Sequence, residues 1–241
     1  MQHFGIIGNP LKQSFSAKFF TEKFTAEHID ADYRLFPLES IRDFPKLIKE
    51  NTFRGLNVTL PFKQSIMPYL DELDATAKGV GAVNVISFYN GRIIGYNTDT
   101  KGFRESVIPL LKPWHKSALV LGTGGAAKAV AYALRSLNIE VRFVSRSQDY
   151  DFSYSQLDKE TIAEHLLIVN CTPLGMYPEV DTCPALPYQN ITARHLLYDV
   201  IYNPNLTLFL KKGKEQGAAV CNGLEMLYGQ ARQAWEIWSK Q

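Results

Sequence analysis

Short apolar runs alternate with amphipathic segments along most of this chain. Residues 4–8 form a continuous apolar run of strand length. From 16 to 28, Phe19, Phe20 and Phe24, followed by Ile29, recur near helical spacing and predict a helix. Residues 33–38 read as extended and 41–49 as helical. Residues 56–60 predict a strand, which Pro61 stops. The β-rich runs 83–88 and 92–96 flank Tyr89-Asn90-Gly91. Asn-Gly in that setting predicts a hairpin, because both residues tolerate positive φ. The first half thus predicts βαβαβ with an added hairpin.

Lys112-Pro113-Trp114-His115-Lys116 breaks the pattern and precedes a new unit. Residues 117–121 predict a short buried strand. A glycine-rich turn follows, then an Ala-rich helix over 126–137. Further strands are predicted at 140–145, 166–170 and 196–201. Strands alternating with helices imply parallel βαβ units and an α/β fold. In 224–238, Leu224, Leu227, Ala231, Trp235 and Trp238 keep helical spacing, so this last helix has an apolar face to dock.

The turn after the strand at 117–121 reads Gly122-Thr123-Gly124-Gly125-Ala126-Ala127 and fits G-x-G-x-x-G/A. Its place between an apolar strand and a helix makes it a candidate dinucleotide site. The first glycine permits the tight turn, the second lets the backbone approach a pyrophosphate, and a small third residue lets helix and strand pack closely. The alternative is a plain tight turn. The next strand ends in Ser145-Arg146-Ser147. An NAD site usually carries an acid near this point for the ribose 2′-hydroxyl. A guanidinium flanked by hydroxyls suits a 2′-phosphate instead, so NADP is the expected cofactor. A solvated surface arginine is the plain alternative.

In the first half, polar Asn57 and Thr59 alternate with Val58 and Leu60, so they share one strand face. Lys63 follows just beyond the strand's carboxyl end, where open α/β sheets bind ligands. A half-buried strand with a surface lysine remains the plain reading. Asn97-Thr98-Asp99 suits a turn or a helix cap. Ser14 and Ser16 suit either helix capping or two hydroxyls that hold a carboxylate.

Composition narrows the function classes. Lys plus Arg number 26 and Asp plus Glu 24, a net charge of +2, which argues against a nucleic-acid surface or a polybasic membrane anchor. With 46% hydrophobic and 21% charged residues, the chain has material for a sizeable core. The N-terminal apolar run breaks at Gly8-Asn9-Pro10 and lacks a positive leader, so it does not read as a signal peptide. No apolar stretch approaches the roughly 20 residues of a membrane span. The 3 cysteines (Cys171, Cys183, Cys221) are widely spaced, and the 5 histidines form no metal-binding motif. No metal site is expected, and a reducing cytoplasmic setting is.

Taken together, the motifs resemble those of the shikimate dehydrogenase family, shikimate/quinate dehydrogenases included. The matches are Gly8-Asn9-Pro10 with Ser14-Phe15-Ser16, then Asn57-Val58-Thr59-Leu60-Pro61-Phe62-Lys63, Gly81-Ala82-Val83-Asn84 and Asn97-Thr98-Asp99. They continue with the glycine-rich turn, Asn170-Cys171-Thr172-Pro173-Leu174-Gly175-Met176, Tyr198-Asp199-Val200-Ile201-Tyr202, and Gly223-Leu224-Glu225-Met226-Leu227 through Gln230. They are collinear and cover nearly the whole chain. The resemblance implies two α/β domains with a cleft between them. A substrate-binding domain would take residues 1–101 and 223–241, and a Rossmann-type NADP-binding domain residues 102–222. It implies reversible NADPH-dependent reduction of 3-dehydroshikimate to shikimate, a step towards chorismate and the aromatic amino acids.

Site roles follow from the same resemblance. Ser14 and Ser16 match positions that bind the substrate carboxylate. Asn57, Thr59, Asn84, Tyr202 and Gln230 match those around the ring hydroxyls, and Lys63 and Asp99 match the catalytic pair. Gly122, Thr123, Gly124, Gly125 and Ala126 would hold the pyrophosphate, and Ser145, Arg146 and Ser147 the ribose phosphate. Val200 and Gly223 would approach the nicotinamide end. The chemistry agrees: reduction of a ketone by hydride leaves an alkoxide that must take a proton, and a free lysine, with pKa about 10.4, carries one at neutral pH. The expected partner is a small-molecule substrate, with no nucleic acid or membrane, and the expected assembly is a monomer or homodimer.

The chain departs from the family pattern at two points. The segment after Ser147 is abbreviated, and Tyr150 stands near the place of a usual second arginine, where it could stack on adenine. Thr100 follows Asp99 where glycine is common. Three rivals remain. One is a quinate/shikimate dehydrogenase using NAD or NADP, and another a non-catalytic NADP-binding sensor, which predicts loss of Lys63 or Asp99. The third, a methylene-tetrahydrofolate dehydrogenase, carries Tyr four residues before its lysine, where Thr59 stands here.

Overall fold

The first apolar run becomes β1 (Gln2–Gly8). After it come α1 (Phe15–Ala26), β2 (Ala31–Pro37) and α2 (Phe44–Glu50). Then follow β3 (Gly55–Val58), β4 (Glu72–Leu73), α3 (Ala75–Val80), β5 (Val85–Tyr89) and β6 (Arg92–Tyr96). This computed structural model describes residues 1–11, 14–147 and 149–240. It contains two compact units, Met1–Thr98 with Gln230–Gln241, and Asp99–Gly229.

The strands of the first unit form one sheet in the order β2-β1-β3-β5-β6-β4. β1 runs parallel to β2 and β3, whereas β5 is antiparallel to β3 and β6. Asn90 and Gly91 take φ of 50° and 74° in the expected hairpin turn. The helix expected over 41–49 divides into a 3₁₀ turn (Ile41–Asp43) and α2. Pro45 explains the division: without an N–H it fits only the first turn of a helix.

Side chains of β1 alternate between two apolar layers. Phe4 and Ile6 join Phe20, Phe24, Tyr33 and Val85, together with Ala231, Ala234 and Trp238 of the last helix. Ile7 joins Phe44, Leu56, Val58, Phe62 and Ile66 on the other side. The Trp238 indole N–H donates to the Ile86 carbonyl at 2.9 Å, and its ring lies 5.0 Å from Phe4 and 5.1 Å from Phe20.

The second unit holds α4 (Asp99–Val107), β7 (Ser117–Leu121), α5 (Gly125–Ser136), β8 (Glu140–Ser145) and β9 (Phe152–Ser153). It continues with α6 (Lys159–Glu164), β10 (Leu167–Asn170), β11 (Leu196–Asp199), α7 (Leu208–Glu215) and β12 (Ala219–Cys221). The last helix, α8 (Leu224–Ser239), starts in this unit and ends in the first. The sheet order is β12-β11-β10-β7-β8-β9, and every pairing is parallel. The chain winds outward from β7 first one way and then the other, the doubly wound arrangement whose switch point lies between β7 and β10. Ala118 and Val120 face one apolar layer, Leu119 and Leu121 the other.

One connection in this sheet is unusually short. β8 and β9 are parallel neighbours joined by residues 146–151 alone, whereas a parallel crossover normally takes roughly a dozen residues or more. No helix of the described residues is long and apolar enough to cross a membrane.

Candidate functional site

Topology gathers the polar residues of the first unit at one edge of its sheet. β1 and β3 end there. Because β5 is antiparallel to β3, its start reaches the same edge, and β6 ends beside it. Asn57 is in register with Val85, and Val85 with Tyr96. The residues just outside these positions, Asn84 and Thr98, therefore lie next to Asn57. The Val58 N–H donates to the Asn84 carbonyl at 2.9 Å, and the Asn84 N–H to the Tyr96 carbonyl at 3.0 Å.

A chain of side-chain hydrogen bonds runs along this edge. The Tyr33 hydroxyl donates to Asn57 Oδ1 at 2.6 Å, and Asn57 Nδ2 donates to the Asn84 carbonyl at 3.3 Å. Asn84 Nδ2 donates to Thr98 Oγ1 at 2.9 Å and to Gln230 Oε1 at 3.4 Å, while Asn84 Oδ1 accepts from the Thr98 N–H at 2.7 Å. The Ser16 side chain opposes part of the rise that burial imposes on the Tyr33 phenol. Ser16, Asn57, Asn84, Thr98 and Gln230 are all buried. Buried polar groups require partners, so the network fixes each amide in one orientation.

Ser14 and Lys63 stand beside this network. Ser14 caps α1, accepting from the Ala17 N–H at 3.4 Å. Capping occupies a lone pair and not the hydroxyl proton, so the two readings of this serine are compatible. Thr59 follows the end of β3, its N–H donating to the Ile7 carbonyl at 3.0 Å. The next residues form a tight turn anchored by buried Phe62 and Ile66, which leaves Lys63 half-buried between them. The Lys63 carbonyl accepts from the Val83 N–H at 2.7 Å, tying the lysine's backbone to the segment that carries Asn84.

In the second unit the glycine-rich turn opens α5 at the switch point. Gly122 has φ +101°, and a Cβ there would lie 3.3 Å from both the Cys171 carbonyl oxygen and Thr172 Cγ2. Gly124 caps α5 without any side-chain bond, and a Cβ on it would meet nothing within 4 Å. The first-turn amides of α5 are thus left for an anion, and these residues fit a dinucleotide pyrophosphate. At the end of β8, Ser145 Oγ accepts from the Ser147 N–H at 3.1 Å. The Ser147 hydroxyl donates to Asp149 at 2.7 Å. Arg146 is exposed, and its charge opposes the rise that burial imposes on the Tyr154 phenol. Tyr150 packs edge-on to Phe143, with ring centres 6.0 Å apart.

Asp99, the first residue of α4, is 5% exposed. A carboxylate suits the positive end of a helix. Thr100 sits within the same first turn and is also buried, so no glycine is required there. Val200 and Gly223 touch: a Cβ on Gly223 would lie 2.1 Å from the Val200 carbonyl oxygen, a separation that only glycine permits. Tyr202, two residues beyond Val200, is exposed. Lys63 belongs to the first unit and Asp99 to the second.

Two residues carry more of these edges than the sequence indicates. Tyr33, on β2, donates to Asn57 Oδ1 at 2.6 Å. Asp199, fully buried at the end of β11, accepts from Thr207 Oγ1 at 2.6 Å, from the Ile201 N–H at 3.0 Å and from Asn170 Nδ2 at 3.1 Å. Burial pushes its carboxyl up to about 6. Asn170 in turn accepts from the Thr172 N–H and hydroxyl, so Asp199 braces the loops that follow both β10 and β11. The signal for Asp199 was its place in Tyr198-Asp199-Val200; for Tyr33 it was one phenol in an otherwise ordinary strand.

Comparison with known proteins finds close similarity along the chain. Residues 6–86 match a family model described as the shikimate dehydrogenase substrate binding domain. The shikimate dehydrogenase (NADP(+)) of Carboxydothermus hydrogenoformans is 40% identical, over 98% of this chain and 90% of its own length. The crystal structure of shikimate dehydrogenase from Aquifex aeolicus superposes with a TM-score of 0.89 at 36% identity, covering 100% of this chain and 93% of that one. The Thermus thermophilus enzyme, solved in complex with NADP(H) and shikimate, gives 0.88 at 31% identity, covering 100% and 94%.

Proposed function

The chain belongs to the shikimate dehydrogenase family, and from that premise we propose how its residues carry the reaction. It is an NADP-dependent oxidoreductase acting on a CH–OH group, interconverting 3-dehydroshikimate and shikimate on the way to chorismate and the aromatic amino acids. The first unit takes the small-molecule substrate and the second takes NADP.

The observation that carries the substrate assignment is the buried chain from Tyr33 through Asn57 and Asn84 to Gln230. Such a row of oriented amides and hydroxyls suits a polyhydroxylated ring better than an apolar ligand. Ser14 and Ser16 hold the carboxylate, their hydroxyls donating. Asn57, Thr59, Asn84 and Gln230, with Tyr202, meet the ring hydroxyls. NADP, when bound, supplies the exchange of hydride with the substrate carbon. Lys63 gives a proton to the oxygen of that carbon during reduction and removes it during oxidation. Asp99 is the acidic member of the pair.

Gly122 to Ala126 at the start of α5 receive the pyrophosphate, and Val200 and Gly223 border the nicotinamide end. Arg146, with Ser145 and Ser147, grips the 2′-phosphate. Because the link from β8 to β9 carries no second arginine, Arg146 bears that contact alone. Arg146→Ala is expected to raise KM for NADP by about tenfold and to leave KM for NAD nearly unchanged, in line with one charge-assisted contact. Equal losses with both cofactors would remove this role from Arg146.

The decisive experiment compares shikimate and quinate, each with NADP and NAD, using the purified protein. The expected result is the highest kcat/KM for shikimate with NADP. Faster oxidation of quinate with NAD, or no turnover in any of the four pairs, would overturn the reading.

A further inference from the structure

We propose that Tyr33 is a positioning residue that fixes the Asn57 amide for substrate, so that Asn57 offers an N–H donor to a ring hydroxyl. The proposal rests on Asn57 being a substrate ligand, and adds a residue outside that set.

Tyr33 lies on β2, buried, with its ring stacked on Phe20 at 5.1 Å and 13°. Its hydroxyl has one proton, which goes to Asn57 Oδ1 at 2.6 Å. Burial raises the phenol well above its usual pKa, so it stays a neutral donor across the working range.

The opposite end of the Asn57 amide is constrained independently. It faces the Asn84 backbone carbonyl at 3.3 Å, and a carbonyl can only accept. Only the nitrogen can occupy that side. The carbonyl selects one of the two amide orientations, and the phenol supports it by donating to the oxygen that then faces it. One Nδ2 proton goes to Asn84, and the second remains to donate. Without the Tyr33 hydroxyl, the oxygen end has no donor and the orientation loses half its support.

Tyr33→Phe tests this, because it removes the hydroxyl and keeps the ring stack. The expected result is a rise in KM for shikimate of about tenfold. KM for NADP should stay unchanged, kcat should change less than about threefold, and the melting temperature should shift little. An unchanged shikimate KM, or parallel losses in both KM values and in kcat, would overturn the proposal. A readout without substrate runs beside it. The side-chain amide protons of Asn57, identified in an NMR spectrum by their loss in Asn57→Asp, should shift and broaden in Tyr33→Phe. Unchanged signals overturn the fixed orientation whatever the kinetics. If the wild-type protein fails to oxidise shikimate, the substrate reading falls, and the NMR comparison still decides whether Tyr33 sets the amide.

Discussion

Lys63→Ala is expected to lower kcat for shikimate oxidation by about 10²–10⁴-fold, the range for loss of a general acid–base group, with little change in NADP affinity. The lysine is half-buried in a turn that Phe62 and Ile66 pin into the core, and its carbonyl is tied to the Val83 amide. Its backbone is thus held by groups the mutation does not touch, and Ala fits the same turn. The loss should fall on the chemical step, where the substrate hydroxyl must pass its proton to the lysine amine. Stopped-flow turnover alongside a fluorescence titration with NADPH would separate the two effects. Turnover within about threefold of wild type would remove Lys63 from the proton transfer.

The largest expected loss of stability follows from Trp238→Ala. The indole is 1% exposed and packs on Phe4 and Phe20, and its N–H satisfies the Ile86 carbonyl. Removing a buried tryptophan typically costs about 3–5 kcal/mol, partly for the cavity and partly for lost burial. The Ile86 carbonyl is left without its donor as well. Urea unfolding should show the loss as a lower midpoint for the transition that involves the first unit. A loss under about 1 kcal/mol would mean that the last turn of α8 is not part of that core.

Much of the fold was legible because its strands are short apolar runs between turn residues. The strands at 92–96, 117–121 and 140–145 have the expected bounds. The helices that escaped notice, α3, α4, α6 and α7, are short, running 6 to 9 residues. α6 (Lys159–Glu164) has a single buried residue, Ile162, and is marked chiefly by the Asp158 cap on the Thr161 N–H. α4 is mostly polar, and its start at Asp99 resembles a turn. The strand at 56–60 ends earlier, at Val58, because Thr59 already enters the turn towards Lys63.

The candidate site was legible as a list of residues but not as a network. Asn57, Asn84 and Gln230 stand out as polar residues at strand ends and on a helix. Their mutual bonds follow only from the antiparallel placement of β5, which brings Asn84 beside Asn57. Tyr33 meets Asn57 across 24 positions, and Thr207 meets Asp199 across a loop. A lone polar residue in an apolar strand carries no local mark of its partner. The pyrophosphate turn was legible for the opposite reason: the backbone conformation at Gly122 and the open cap at Gly124 are written in the glycines themselves.

The final helix has a bearing on how the molecule is made. Ala231, Ala234 and Trp238 complete the layer begun by Phe4 and Phe20, but ribosomes add them only after all of Asp99–Gly229. The core that the chain begins with Phe4 is therefore closed only by the residues translated last. A chain cut short before α8 would leave Phe4, Phe20 and Phe24 without that cover.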